Sequence, residues 1–429
     1  MRFWQADTYK YDDEFLELVH EYEQSLSEGS VPYFDADDLT DIAEYYCMKR
    51  RYKDASTAID RALEMDPEAT APLCYMVREY IAQDDWEKAR ATYNCITDTN
   101  DREAMYLRVE FALNDGDTKL AASILEENFP SHDTDEEQRT YLREVIGLLL
   151  DYEGREVEDM LSSWGKCLSN MEGLTTDDRM MIAEMLAVTT QDYSAIVLLE
   201  KLLEEEPFNQ MAWLLMFDIE MRTENIWFAE NAVNYALAID DHNLRAIMSQ
   251  AWLFGWRYQN ILQVMGETER GLEMSKQVHD DCMECMERAV RYGLNDNDEF
   301  FATAAEIFHR LEESEQEIDY LKRDLEVRPY NSETRLNLGY AYVDADDFAQ
   351  ALEYLMPLTE RKTSCTPESY APIAFCLFKL HRFDECVNYL KKSQEEYPDS
   401  ATTFFEHIFP HAQAVDYAAL VDLYFGSRV

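Results

Sequence analysis

Glycine and proline are both scarce in this 429-residue chain, at 12 and 11 copies. Folds rich in tight turns and strands draw heavily on both residues. Their rarity, beside plentiful Leu, Glu, Ala and Met, argues for an all-α chain. Basic residues are also short: 38 Lys and Arg stand against 88 Asp and Glu, a net charge of −50. No Lys/Arg run forms the clustered basic face that nucleic acid requires, and an anionic membrane surface is disfavoured for the same reason. Nor is there a window of about 18 uninterrupted apolar residues, so no transmembrane helix is expected. The opening Met1-Arg2-Phe3-Trp4-Gln5-Ala6-Asp7 carries no basic-then-apolar signal segment.

Apolar material, by contrast, is abundant. Hydrophobic residues make up 47% and aromatics 13%, including 27 Tyr, which separates the chain from acidic disordered sequences. The length exceeds what one globular core serves but suits a solenoid, in which each unit touches only its neighbours. Nine cysteines (Cys47, Cys74, Cys95, Cys167, Cys282, Cys285, Cys365, Cys376, Cys386) are an odd number and lie mostly within helical patterns. Free thiols in a reducing, cytoplasmic setting fit best. The charge reads first as a solubilising surface, and beyond that as a preference for basic or neutral partners.

The apolar pattern repeats. Leu39, Ile42, Ala43 and Tyr46 mark one helix; Ala55, Ile59 and Ala62 mark the next, and Pro67 stops it. Tyr80 follows Tyr46 by 34 residues, Ala89 follows Ala55, and Asp101 takes the slot of Pro67. The same slots return as Ala195 and Pro207, then Ala229 and Asp241, with Trp213 between them. They return again as Leu338-Gly339, Tyr342, Phe348 and Ala351, and then as Ile373-Ala374, Leu377, Phe383, Cys386 and Pro398. Small residues let helix backbones approach, large ones fill the gaps so created, and proline blocks helix continuation.

This spacing resembles the tetratricopeptide repeat, whose unit is about 34 residues long. The resemblance implies an all-α superhelix of stacked helical hairpins. It also implies an organisation by segment. Residues 1–35 form an N-terminal capping helix. Residues 36–175 hold regular units over 36–103 and degenerate ones over 104–175. Residues 176–297 hold regular units over 176–243 and degenerate ones over 244–297. Regular units resume over 298–400, and capping helices fill 401–429.

No cofactor, metal or catalytic site is expected. His279, Cys282 and Cys285 are spread along one helix face, and no second Cys pair completes four zinc ligands. Neither a Gly-rich phosphate loop nor a Gly-x-Ser-x-Gly elbow occurs. The carboxylates are too many to single out an acid/base pair.

By resemblance, the first helix of each unit lines a concave groove. The positions implied are Glu44; Met180 and Glu184; Met211, Leu214 and Asp218; Leu336, Tyr340 and Asp344; and Phe375, Phe378 and Lys379. That groove is apolar with acidic punctuation. Thr40, Glu44, Met180 and Glu184 stand where one family subset grips a C-terminal carboxylate with Lys, Asn and Arg, so that clamp is not implied here. The expected function is a non-enzymatic scaffold for a protein or peptide segment with apolar anchors and basic flanks, without nucleic acid or membrane. Self-assembly through aromatic terminal segments such as Phe404-Phe405 is the alternative, and an enzyme built on the Cys-His cluster stands third.

Overall fold

The computed structural model describes residues 13–28, 34–131, 134–266, 268–359 and 367–396. Among them are twenty-one α-helices, a few short 3-10 turns and no strand. The fold is an all-α stack of helical hairpins, the arrangement that the tetratricopeptide resemblance implies. The chain forms two compact units, one ending at Ile239 and one starting at Asp240. Residues 29–33 and 397–429, with the expected terminal helices and Pro398, and Cys365 lie outside the described residues.

The first unit opens with α1 (Asp13–Glu28) and continues as hairpins. These are α2 (Ala36–Met48) with α3 (Tyr52–Met65), α4 (Thr70–Ala82) with α5 (Trp86–Tyr93), and α6 (Arg102–Asn114) with α7 (Thr118–Glu127). Then come α8 (Asp135–Leu149) with α9 (Arg155–Ser169), α10 (Thr176–Val188) with α11 (Asp192–Glu205), and α12 (Gln210–Arg222) with α13 (Ile226–Ile239). The second unit pairs α14 (Leu244–Met265) with α15 (Glu269–Arg291) and α16 (Phe301–Arg310) with α17 (Ser314–Val327). It ends with α18 (Ser332–Asp344) beside α19 (Phe348–Leu355), and α20 (Pro367–Lys379) beside α21 (Phe383–Glu396). No helix among the described residues is long and apolar enough to cross a membrane.

The hairpins close by a recurring device. Arg50, Asp84, Thr190, Glu224, Glu312, Asp346 and His381 all adopt left-handed φ between 56° and 61°. After each, the next N–H reaches back to the first helix, as in Arg51 N to Tyr46 O at 2.8 Å and Asn225 N to Glu220 O at 2.8 Å. This is a Schellman closure, which glycine usually serves. Among the described residues only Gly116 does so at such a turn, with φ of 75°. Side-chain caps then start the second helices: Asp85 accepts from Lys88 N, Asp117 from Leu120 N and Asp347 from Gln350 N. Asn209, Asn243 and Asn331 do the same for α12, α14 and α18.

The repeating alanines are the contact points. Ala43, Ala62, Ala89, Ala195, Ala229 and Ala351 are fully buried. In the stretches expected to lose the 34-residue phase, α8 and α9 are 15 residues each, and α14 and α15 reach 22 and 23. At α17 the alanine slot holds Glu317, only 7% exposed, whose Oε1 lies 3.1 Å from His309 Nδ1.

One buried ionic node has no counterpart in the repeat pattern. Asp178, fully buried, receives Arg139 Nη1 and Arg143 Nε, both at 2.7 Å. Burial alone would raise its pKa, but hydrogen bonds from Arg143 and Thr175 outweigh it and hold the carboxyl below its ordinary range. Arg139 also donates to the carbonyls of Glu172 and Gly173, so α8 is tied to the turn before α10.

Candidate functional site

Within each unit, first helices of neighbouring hairpins lie side by side, as α2 with α4 and α18 with α20. The clearest opening on such a wall is in the second unit. Gly339 of α18 brings that helix close to α19, where an added Cβ would sit 2.3 Å from Leu355 Cδ2. Asp346 turns the chain through the left-handed region, and Asp347 N–H bonds Tyr342 O at 2.9 Å. Phe348 is thereby placed at the start of α19, facing Phe375 of α20 edge-on at 6.0 Å.

The result is a cleft of about 320 Å³ lined by Tyr340, Val343, Asp344, Asp346, Phe348, Ala371, Pro372 and Phe375. Its floor is apolar, with Ala371 and Pro372 buried, while Asp344 and Asp346 are exposed at its edge. Lys379 Nζ sits 5.1 Å from the Phe375 ring centroid and 5.7 Å from that of Phe348. A cation over two ring faces is held electrostatically and keeps the aromatic wall ordered. The arrangement buries an apolar side chain and offers carboxylates to a cation beside it.

Tyr340, Asp344 and Phe375, expected from the sequence as groove residues, come together here, with Lys379 alongside. Phe378 instead packs on Phe383 at 5.9 Å, and Leu336 is half-buried away from the cleft lining. Met180 (4% exposed) and Leu214 (0%) are core residues, which corrects their placement in a groove. Both helices are buried on most of their sides, with Met181, Ile182 and Ala183 also buried on α10 and Met216 and Phe217 on α12. Glu184 and Met211 are half-buried and Asp218 is exposed.

Glu44 is half-buried on α2; burial of Arg78 on α4 would lower its pKa, but the charges of Glu103, Glu110 and, less strongly, Glu44 hold it raised. Glu79 and Glu110 on this wall are both held above the ordinary carboxylate range, first by desolvation. Phe348 and Asp346 are among the cleft residues that sequence reading missed. Phe348 carries the mark of a packing position, and only the turn geometry before it shows that its ring also reaches the cleft.

The His279–Cys285 stretch is engaged within the fold. Cys282 Sγ donates to Ala251 O at 3.2 Å and Cys285 Sγ to Gln250 Oε1 at 3.3 Å. Burial pushes these thiols up to about 12 and about 11. His279 Nε2 lies 3.1 Å from Glu313 Oε1. The exposed trio Asp240, Asp241 and His242 has metal-compatible atoms within 4.8 Å of one another, but His242 is engaged by Asp241 at 2.5 Å.

No protein-family model matches the chain, and no curated protein matches it. Solved structures do. Yeast Tom70 aligns with a TM-score of 0.46 at 12% identity, over 97% of this chain and 98% of its own. YrrB, a TPR protein with an unusual peptide-binding site, aligns at 0.37 and 15% over 49% and 98%. Human IFIT1, crystallised as a dimer with m7Gppp-AAAA, aligns at 0.41 and 11% over 91% and 96%.

Proposed function

We propose that this chain acts by binding rather than by catalysis, taking a segment of another protein into the α18–α20 cleft. The observation that carries this reading is the joining of Tyr340, Phe348 and Phe375 around an opening whose edge bears Asp344 and Asp346. An extended segment would seat an apolar side chain between the rings and set a Lys or Arg against the two carboxylates. The net charge of −50 supports a basic protein segment over nucleic acid as the occupant.

Peptide display on the intact chain tests this. Selected peptides should carry an aromatic or aliphatic residue next to Lys or Arg, and Phe375→Ala should weaken them about tenfold or more. Peptides that bind the Phe375→Ala chain as tightly as the parent would defeat the proposal.

A further inference from the structure

The outer face of α13 is unusually aromatic for a surface. Trp227 is 67% exposed, Phe228 56% and Tyr235 55%. Positions 228 and 235 are seven apart and so share one face of the helix, with Asn231 between them. Eight residues separate Trp227 from Tyr235, a stripe about 12 Å long at the helical rise. Tyr235 stacks on Trp213 at 4.5 Å and 25°, and the Trp213 indole N–H is fixed on Pro207 O at 3.0 Å. Beside that carbonyl, Phe208 is 81% exposed. The three α13 rings alone present roughly 400 Å² of surface, the size at which an apolar patch marks an interaction site. Tyr235 is held against α12 by Trp213, and Trp227 and Phe228 meet edge to face at 4.8 Å.

The stretch of chain that carries this face is strongly acidic. From Asp192 to Asp240 the chain carries ten carboxylates and only two cations, Lys201 and Arg222. Arg222 is already paired with Asp192. Glu224 precedes the stripe and Glu230 borders it on α13 itself. A second copy of the chain would bring the same carboxylates against these, and an anionic bilayer would be repelled in the same way. We propose that the aromatic face of α13 docks an amphipathic helix of a partner protein, apolar along one stripe and bordered by Lys and Arg. Trp227 and Phe228 are open ring faces for those cations as well as apolar contacts. The surface is separate from the α18–α20 cleft and does not depend on it.

The probes are a fluorescein-labelled helical Leu/Lys peptide and its Leu/Glu counterpart, titrated by anisotropy against the full chain. The titrations use a Phe375→Ala chain, in which the cleft is disabled: the Leu/Lys peptide should still bind it, and adding Trp227→Ser with Tyr235→Ser should weaken that binding at least about tenfold. Both substituted side chains are more than half exposed, so the double variant should stay folded, its melting temperature lowered by no more than the lost Tyr235–Trp213 stack accounts for. Binding that survives in the double variant overturns the proposal, as does equal binding of the Leu/Glu peptide or no binding of either. Light scattering in which the parent is a dimer and the double variant a monomer overturns it too, by assigning the face to a second copy.

Discussion

His309 and Glu317 are joined across the α16–α17 turn, Nδ1 to Oε1 at 3.1 Å, with the carboxylate occupying a slot that alanine fills elsewhere. The Glu317 hydrogen bond is the main reason the His309 pKa lies above its ordinary value; Asp344 adds to it and burial and Arg310 oppose it. A raised histidine stabilises the fold fully below its unfolded value of about 6.5, and that contribution fades as pH rises through the folded value. Melting temperatures across this range should therefore fall with rising pH more steeply in the parent than in Glu317→Ala. Parallel pH profiles would show that the pair does not couple to folding.

The left-handed turns make a second prediction. An L-residue there costs about 1–2 kcal/mol, partly offset in glycine by its freer unfolded chain. Thr190→Gly and Glu224→Gly should each stabilise by about 0.5–1 kcal/mol, the β-branched Thr190 gaining more. Thr190→Ala, which keeps a Cβ, should gain little. Urea midpoints that do not move, or that fall for the glycine variants, would contradict the turn assignment.

Glycine scarcity and helical periodicity made the all-α class legible, and the Ala43, Ala55 and Ala351 slots made the hairpin contacts legible. The turns were less so, because Thr190 and Glu224 bear no sequence sign of a left-handed conformation that is imposed by packing on either side. Met180 and Leu214 were misread for a related reason. Position within a repeat says which turn of helix a residue occupies, whereas burial depends on the size of the side chains opposite. The cleft was half visible: Tyr340, Asp344 and Phe375 stand out as residues the repeats do not share, but their meeting with Phe348 requires the Asp346 turn.

Ala351 is fully buried at the α18–α19 contact. Ala351→Arg would force a large cation into a space sized for a methyl group and should cost on the order of 2–4 kcal/mol. Gly339→Ala should also destabilise, by about 1–3 kcal/mol, since its Cβ would overlap Leu355. Unchanged unfolding midpoints for both would refute the packing of this hairpin.

The central claim is that the α18–α20 cleft reads an apolar anchor beside a cation, and a charge exchange tests it most directly. Affinities should be measured for a display-selected peptide and for its twin in which each Lys or Arg is replaced by Glu, against the parent and against Asp344→Lys with Asp346→Lys. The parent should prefer the basic peptide, and the double variant should lose it by tenfold or more while gaining the acidic twin. The same preference in both proteins would contradict the account.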